Sequence, residues 1–126
     1  MGSNDDVPIN EDDGRRVAEA IAATSSVAGE LVRDHEAEHG EILPTLLLDE
    51  IGQWFVDTLG RDANACRAVD AVSELYETGD DDIQTIVVTG FLEAMPHVGH
   101  TGREVVDQLS GALRAELRGM ENRTPN

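Results

Sequence analysis

Apolar residues recur along most of this chain at three- and four-residue steps, the spacing that lays a stripe along one helix face. The first stripe runs Val17, Ala20, Ile21, Thr24, Val27, Ala28, Leu31 and Val32. It predicts one helix from Asp12 or Asp13 to Gly40, with the two aspartates capping its start and Ser25-Ser26 lying inside it. Ile42–Leu48 is apolar but interrupted by Pro44, which reads as a buried connection or a single turn. Asp49 then caps a short helix with Ile51, Trp54, Phe55 and Leu59 inward, closed by Gly60. Asp62 opens the next, carrying Ala65, Cys66, Val69, Val72, Leu75 and Tyr76, with Gly79 as its stop.

Asp80-Asp81-Asp82 introduces Ile83, Ile86, Val87, Phe91, Leu92 and Met95. The β-branched run Ile86-Val87-Val88-Thr89 accepts a strand. Spacing, the acidic start and the halt at Pro96 favour a helix, so residues 83–92 stand open between the two. Thr101-Gly-Arg-Glu104 spells a capping box ahead of Val105, Val106, Leu109, Leu113 and Leu117, with Gly119 as the end. Gly52 and Gly90 lie inside predicted helices, which marks either close helix packing or misplaced boundaries. The pattern thus predicts an all-α domain over 12–119: a single bundle of about five helices with a central antiparallel helical hairpin. Residues 1–11 read as a flexible acidic leader and 120–126 as a tail.

Charge sharpens this picture. The chain of 126 residues has 26 acids against nine basic residues, all arginine, for a net −17. Residues 97–126 carry four of each sign, so the whole excess sits in residues 1–96, as 22 acids against five arginines. Beyond the leader it gathers in two places: Glu30, Asp34, Glu36, Glu38 and Glu41, then Glu74, Glu77, Asp80, Asp81 and Asp82. Such a surface repels phosphate backbones, which excludes a nucleic-acid binder, and attracts basic proteins. No apolar run approaches the ~20 residues of a membrane span, and the acidic start lacks a signal-peptide pattern. One cysteine, Cys66, forms no internal disulfide, which suits a reducing cytoplasm. A lysine-free acidic composition also suits an interaction or regulatory subunit from a salt-adapted host.

The candidate chemistry centres on His35-Glu36-Ala37-Glu38-His39, which spells H-E-x-x-H. On a helix the two imidazoles share a face and Glu36 stands ready to activate a zinc-bound water, the arrangement of a small zinc hydrolase. Glu41, Glu50, His97 and His100 are the available third ligands. The apolar stripe has ended by this point, however. The motif therefore reads as the solvated last turn of a helix, with histidines at its negative dipole end and no metal. His97 and His100 read as loop polarity. Asp80–Asp82 lacks calcium-loop spacing and reads as helix-start acids. Cys66 reads as an inert buried thiol, and Trp54 and Phe55 as core. No phosphate-binding glycine loop or nucleophile elbow occurs, so the residues carry no catalytic set and no cofactor.

Two stretches together resemble an uncharacterised family of small acidic all-helical bacterial domains. They are Gly40-Glu41-Ile42-Leu43-Pro44 leading to Asp49, and Gly79-Asp80-Asp81-Asp82-Ile83 leading to Thr89-Gly90-Phe91-Leu92-Glu93. The resemblance spans roughly residues 30–117 and implies an immunity-type protein, the neutralising partner of a secreted toxin. Taken with the charge, this predicts a non-enzymatic cytoplasmic inhibitor covering a basic site on a toxin, possibly a nuclease. Its contacts would be Asp34, Glu36, Glu38 and Glu41 with Glu74, Glu77, Asp80, Asp81 and Asp82.

Overall fold

A computed structural model describes residues 11–123. Among them every regular element is helical. The chain forms α1 (Glu11–Ala22), α2 (Ser26–His39), α3 (Pro44–Asp57), α4 (Ala63–Thr78), α5 (Asp81–Ile86) and α6 (Gly111–Arg123). A π-helical turn, Val87–Phe91, and a 3₁₀ turn, Leu92–Ala94, prolong α5, and a 3₁₀ segment, Arg103–Gln108, precedes α6. Residues 1–10 of the expected leader and 124–126 of the tail lie outside the described residues.

The long first stripe is two helices, which raises the count of α-helices to six among the described residues. Its apolar period survives because Val17 and Ile21 on α1 and Ala28 and Val32 on α2 all face the core. Hydroxyls make the break. Thr24 Oγ1 donates back to the Ile21 carbonyl at 2.7 Å, and Ser25 Oγ accepts from the Ala28 amide at 3.1 Å as the cap of α2. Gly40, at φ 78°, ends α2 as its spelling predicts.

Three further boundaries move. Helix α3 begins at Pro44 rather than Asp49, because proline at the first helical position gives up an amide that needs no intrahelical partner. This admits Leu47 and Leu48 to the same buried face as Ile51 and Phe55. The Thr101–Glu104 capping box does not form. Gly102 stands there at φ 89° without a side-chain cap, and the segment it opens is a short 3₁₀ turn. Leu109 is extended, and Ser110 Oγ accepts from the Leu113 amide to start α6. That helix continues through Gly119 to Arg123, so most of the expected tail is helical. The caps at Asp62 and Asp80 form as the spacing predicts.

The open segment 83–92 is helical, and its main packing partner is α3. The two interior glycines explain how. A Cβ on Gly90 would stand 2.5 Å from the Thr45 carbonyl oxygen, and one on Gly52 would stand 2.9 Å from Ala94 Cβ. Both glycines mark close packing of helix backbones. Phe55 and Phe91 meet beside this contact, their ring centroids 6.4 Å apart. At the other side of the bundle, α6 is tied to α4 by Ser73–Ser110 and Tyr76–Glu116 hydrogen bonds.

Because the Gly90 contact is with backbone, relief requires the helices to part. Gly90→Ala is expected to cost about 1–3 kcal/mol in urea unfolding. Gly111→Ala is the contrasting case, since nothing lies within 4 Å of its added methyl. It should be neutral or stabilising, by up to ~1 kcal/mol.

Candidate functional site

The histidine motif occupies the last turns of α2, with His35 and His39 one turn apart and their ring centroids 4.7 Å apart. Position along the stripe predicts a solvated end, but His35 is 2% exposed. Tertiary structure supplies the cover, because the 41–43 connection folds the start of α3 back over α2. His35 Nε2 accepts from the Leu43 amide at 3.0 Å, and Nδ1 lies 3.3 Å from both carboxylate oxygens of Glu50 on α3. His39 Nε2 stands 3.9 Å from Glu50 Oε2.

This geometry assigns the tautomer. A nitrogen that accepts a backbone N–H holds no proton, so the proton resides on Nδ1 and is donated to Glu50. Leu43 caps α3 without any side-chain hydrogen bond, and Pro44 has no amide. His35 thus satisfies one of the orphan donors at the entrance to α3. It is a clasp between two helices.

Of the four candidate third ligands, the fold brings Glu50 to the pair. His35, His39 and Glu50 present one ligand atom each, all within 4.8 Å of one another. Proton bookkeeping opposes a metal there. Ligation through Nδ1 would transfer the ring proton to Nε2, where the Leu43 amide already donates, leaving two N–H groups face to face. Glu36, the nominal water-activating base, instead lines a separate groove against α1. His97 and His100 pair with each other, centroids 5.5 Å apart, beside α6. Cys66 is half-buried and donates to the Gly60 carbonyl, while burial, with Asp70 and Asp62 nearby, pushes its thiol up from its ordinary value. None of these groups is set out as an activated nucleophile or base.

The nine acids predicted to meet a partner are all exposed: Asp34, Glu36 and Glu38 on α2, Glu41 in the connection, Glu74 and Glu77 on α4, and Asp80–Asp82 at the start of α5. Helix α1 lies between the two groups. One of its flanks shares a groove with Glu36 and Glu41, and the other shares one with Glu74. At its first turn, Asp13 gathers with Asp80 and Asp82, one oxygen from each within 4.8 Å of the others. Burial, then Asp80 and Asp82, raise the Asp13 carboxyl above the usual range. Sequence reading gave Asp13 a capping role and missed this meeting, since no local signal links residues so distant in the chain. At the neutral end, Arg103 binds Glu121 and the Pro96 carbonyl, and its guanidinium holds the Glu121 carboxyl below its ordinary value.

Residues 18–122 match a domain family of unknown function, DUF7674, and the chain belongs to that family. Neither a curated protein nor a solved structure matches it.

Two expectations follow from these contacts. His35→Ala removes the acceptor of the part-buried Leu43 amide and should cost about 1–3 kcal/mol in chemical denaturation. Excess zinc or EDTA should leave the wild-type melting temperature unchanged in calorimetry, where a metal bound in place of the clasp would shift it. The carboxyls set opposite pH trends. For Asp13 the folded value is raised, so the penalty on its charged form is absent in acid and develops as pH climbs through that value. Asp13→Asn should therefore stabilise at pH 7 and lose its advantage near pH 3. For Glu121 the folded value is depressed. Its pair with Arg103, worth roughly 0.2–1 kcal/mol, is present above the ordinary carboxylate range and lost as pH falls through the depressed value.

Proposed function

We propose that this DUF7674 chain is a non-enzymatic binding protein of the immunity type, whose acidic face covers a basic site on a partner toxin in the cytoplasm, a nuclease being the natural fit. The observation that carries this reading is the placement of the two acidic groups on either flank of α1. Acids separated by some forty positions in the chain thereby flank a single helix. The last helix, with three arginines against two glutamates, packs on α4 and stands apart from α1 among the principal helix contacts.

The chemistry of the site supports the same reading. The one buried polar side chain among the described residues, His35, is spent on a structural clasp. A surface of carboxylates is opposite in sign to a nuclease site, since such a site attracts phosphate and would attract this face as well. Long-range attraction speeds encounter, and occlusion of the site then needs no reaction.

The product of the reading frame adjacent to its gene is the partner to test, by stopped-flow association and by survival on co-expression. Reversing Glu36 and Glu41 to lysine together with Glu74 and Glu77 should slow association by about tenfold or more at low salt and abolish protection. The wild-type association rate should fall as salt is raised. Full protection by the fourfold variant would exclude this function.

A further inference from the structure

The charge-balanced end of the molecule carries Val98, which at 72% is the most exposed large apolar side chain among the described residues. A well-braced turn holds it out. The His100 amide donates to the His97 carbonyl at 2.9 Å, and Gly99 between them takes φ 86°. Arg103 braces the approach by donating to the Pro96 carbonyl at 3.1 Å, and its own amide donates to the His100 carbonyl. A backbone tied at both ends keeps Val98 out of its own core.

Val98 overhangs a groove of about 780 Å³ between this loop and α6. Leu92, Met95 and Leu117 close the base, and Met120 stands half-buried on the α6 wall. The two walls differ in charge. The loop wall carries Glu93, which is exposed. On the α6 wall Glu121 is paired with Arg103, while Arg118, next to Leu117, is exposed.

Charge selects what covers this patch. A basic protein is drawn to the acidic flanks of α1 instead, and another acidic chain is repelled wherever the excess of residues 1–96 faces it. A second copy of this chain escapes that repulsion by presenting its own balanced end. A two-fold axis also reverses the order of its walls, so residue i meets residue j and j meets i. Glu93 then faces an arginine and Arg118 a glutamate, each contact being made twice.

We infer that this chain self-associates through its balanced end, two copies packing about a two-fold axis with Val98 of each against Met120 of the other. Glu93–Arg118 pairs between the copies form the polar rim. None of the nine acids of the docking face lines this groove, so the contact goes beyond the toxin reading and stands or falls apart from it.

Sedimentation velocity from about 1 μM to 1 mM should show the 13.6 kDa monomer passing to a dimer. Raising salt should strengthen the dimer, because it screens the repulsion between two chains of net −17. The same change weakens association with a basic partner, so the two contacts are read separately. Val98→Asp places a carboxylate in the contact twice over and should weaken the dimer by at least roughly tenfold, with its exposed position leaving the fold intact. Glu93→Arg should weaken it as well, and adding Arg118→Glu to the same chain should restore it by exchanging the charges. Amide shifts that vanish on dilution should centre on Val98, Gly99 and Met120.

A chain that stays monomeric at the highest concentration and salt overturns the proposal. So does a folded Val98→Asp chain that dimerises like wild type, or a double exchange that fails to recover association. Dilution shifts centred on α1 and α2 would place self-association elsewhere and overturn it too. If the adjacent-frame partner shifts Val98 and Met120 where a second copy does not, the patch belongs to that partner and the self-association is refuted.

Discussion

The backbone-to-backbone approach of α3 and the turn at 87–91 is the constraint on which the other arrangements rest. Gly90 lets the turn sit against the Thr45 carbonyl, and Gly52 does the same for Ala94. A side chain at either place would drive α3 outward. Leu47, Leu48, Ile51 and Phe55 on α3 fill the space between these contacts and the rest of the bundle. With α3 held there, its first turn returns over the end of α2. The Leu43 amide then meets His35, Glu50 meets both histidines, and Ile42–Pro44 becomes one wall of the α1 groove.

The histidine motif shows how a short spelling takes its meaning from its neighbours. Helical spacing correctly places both imidazoles on one face, and Glu50 was within the range of partners that spacing allowed. Neither fact distinguishes a metal site from a clasp. The deciding contact is the hydrogen bond from Leu43 to Nε2, which fixes where the ring proton lies. A backbone amide has no signature in the sequence, so the tautomer was illegible there. The burial of His35 was illegible for a related reason: the apolar stripe of α2 ends before it, and its cover comes from another element.

Charge behaves differently. That the acids belong to residues 1–96 is a property of composition and order, and exposure of the clustered ones follows from the cost of burying carboxylates. Their relation in space does not follow. Helix α1 lies against both α2 and α4, and this packing sets Glu36 and Glu74 on either side of one helix and gathers Asp13 with Asp80 and Asp82. Burial at that meeting point, and then the neighbouring Asp80 and Asp82, raise the Asp13 carboxyl.

The residues alone determined the helical class, the caps at Asp62 and Asp80, the stop at Gly40, and the localisation of charge. All are decided within a few positions of the chain, by helical period, side-chain acceptors and backbone freedom. The break at Thr24–Ser25 was spelled by the same local chemistry but hidden by an apolar period that both helices share. Tertiary structure decided the rest: which flank of α1 each acidic group occupies, what covers His35, and the groove beside α1. Each depends on groups brought together from distant positions, where close packing of helix faces, rather than any local preference, selects the neighbour.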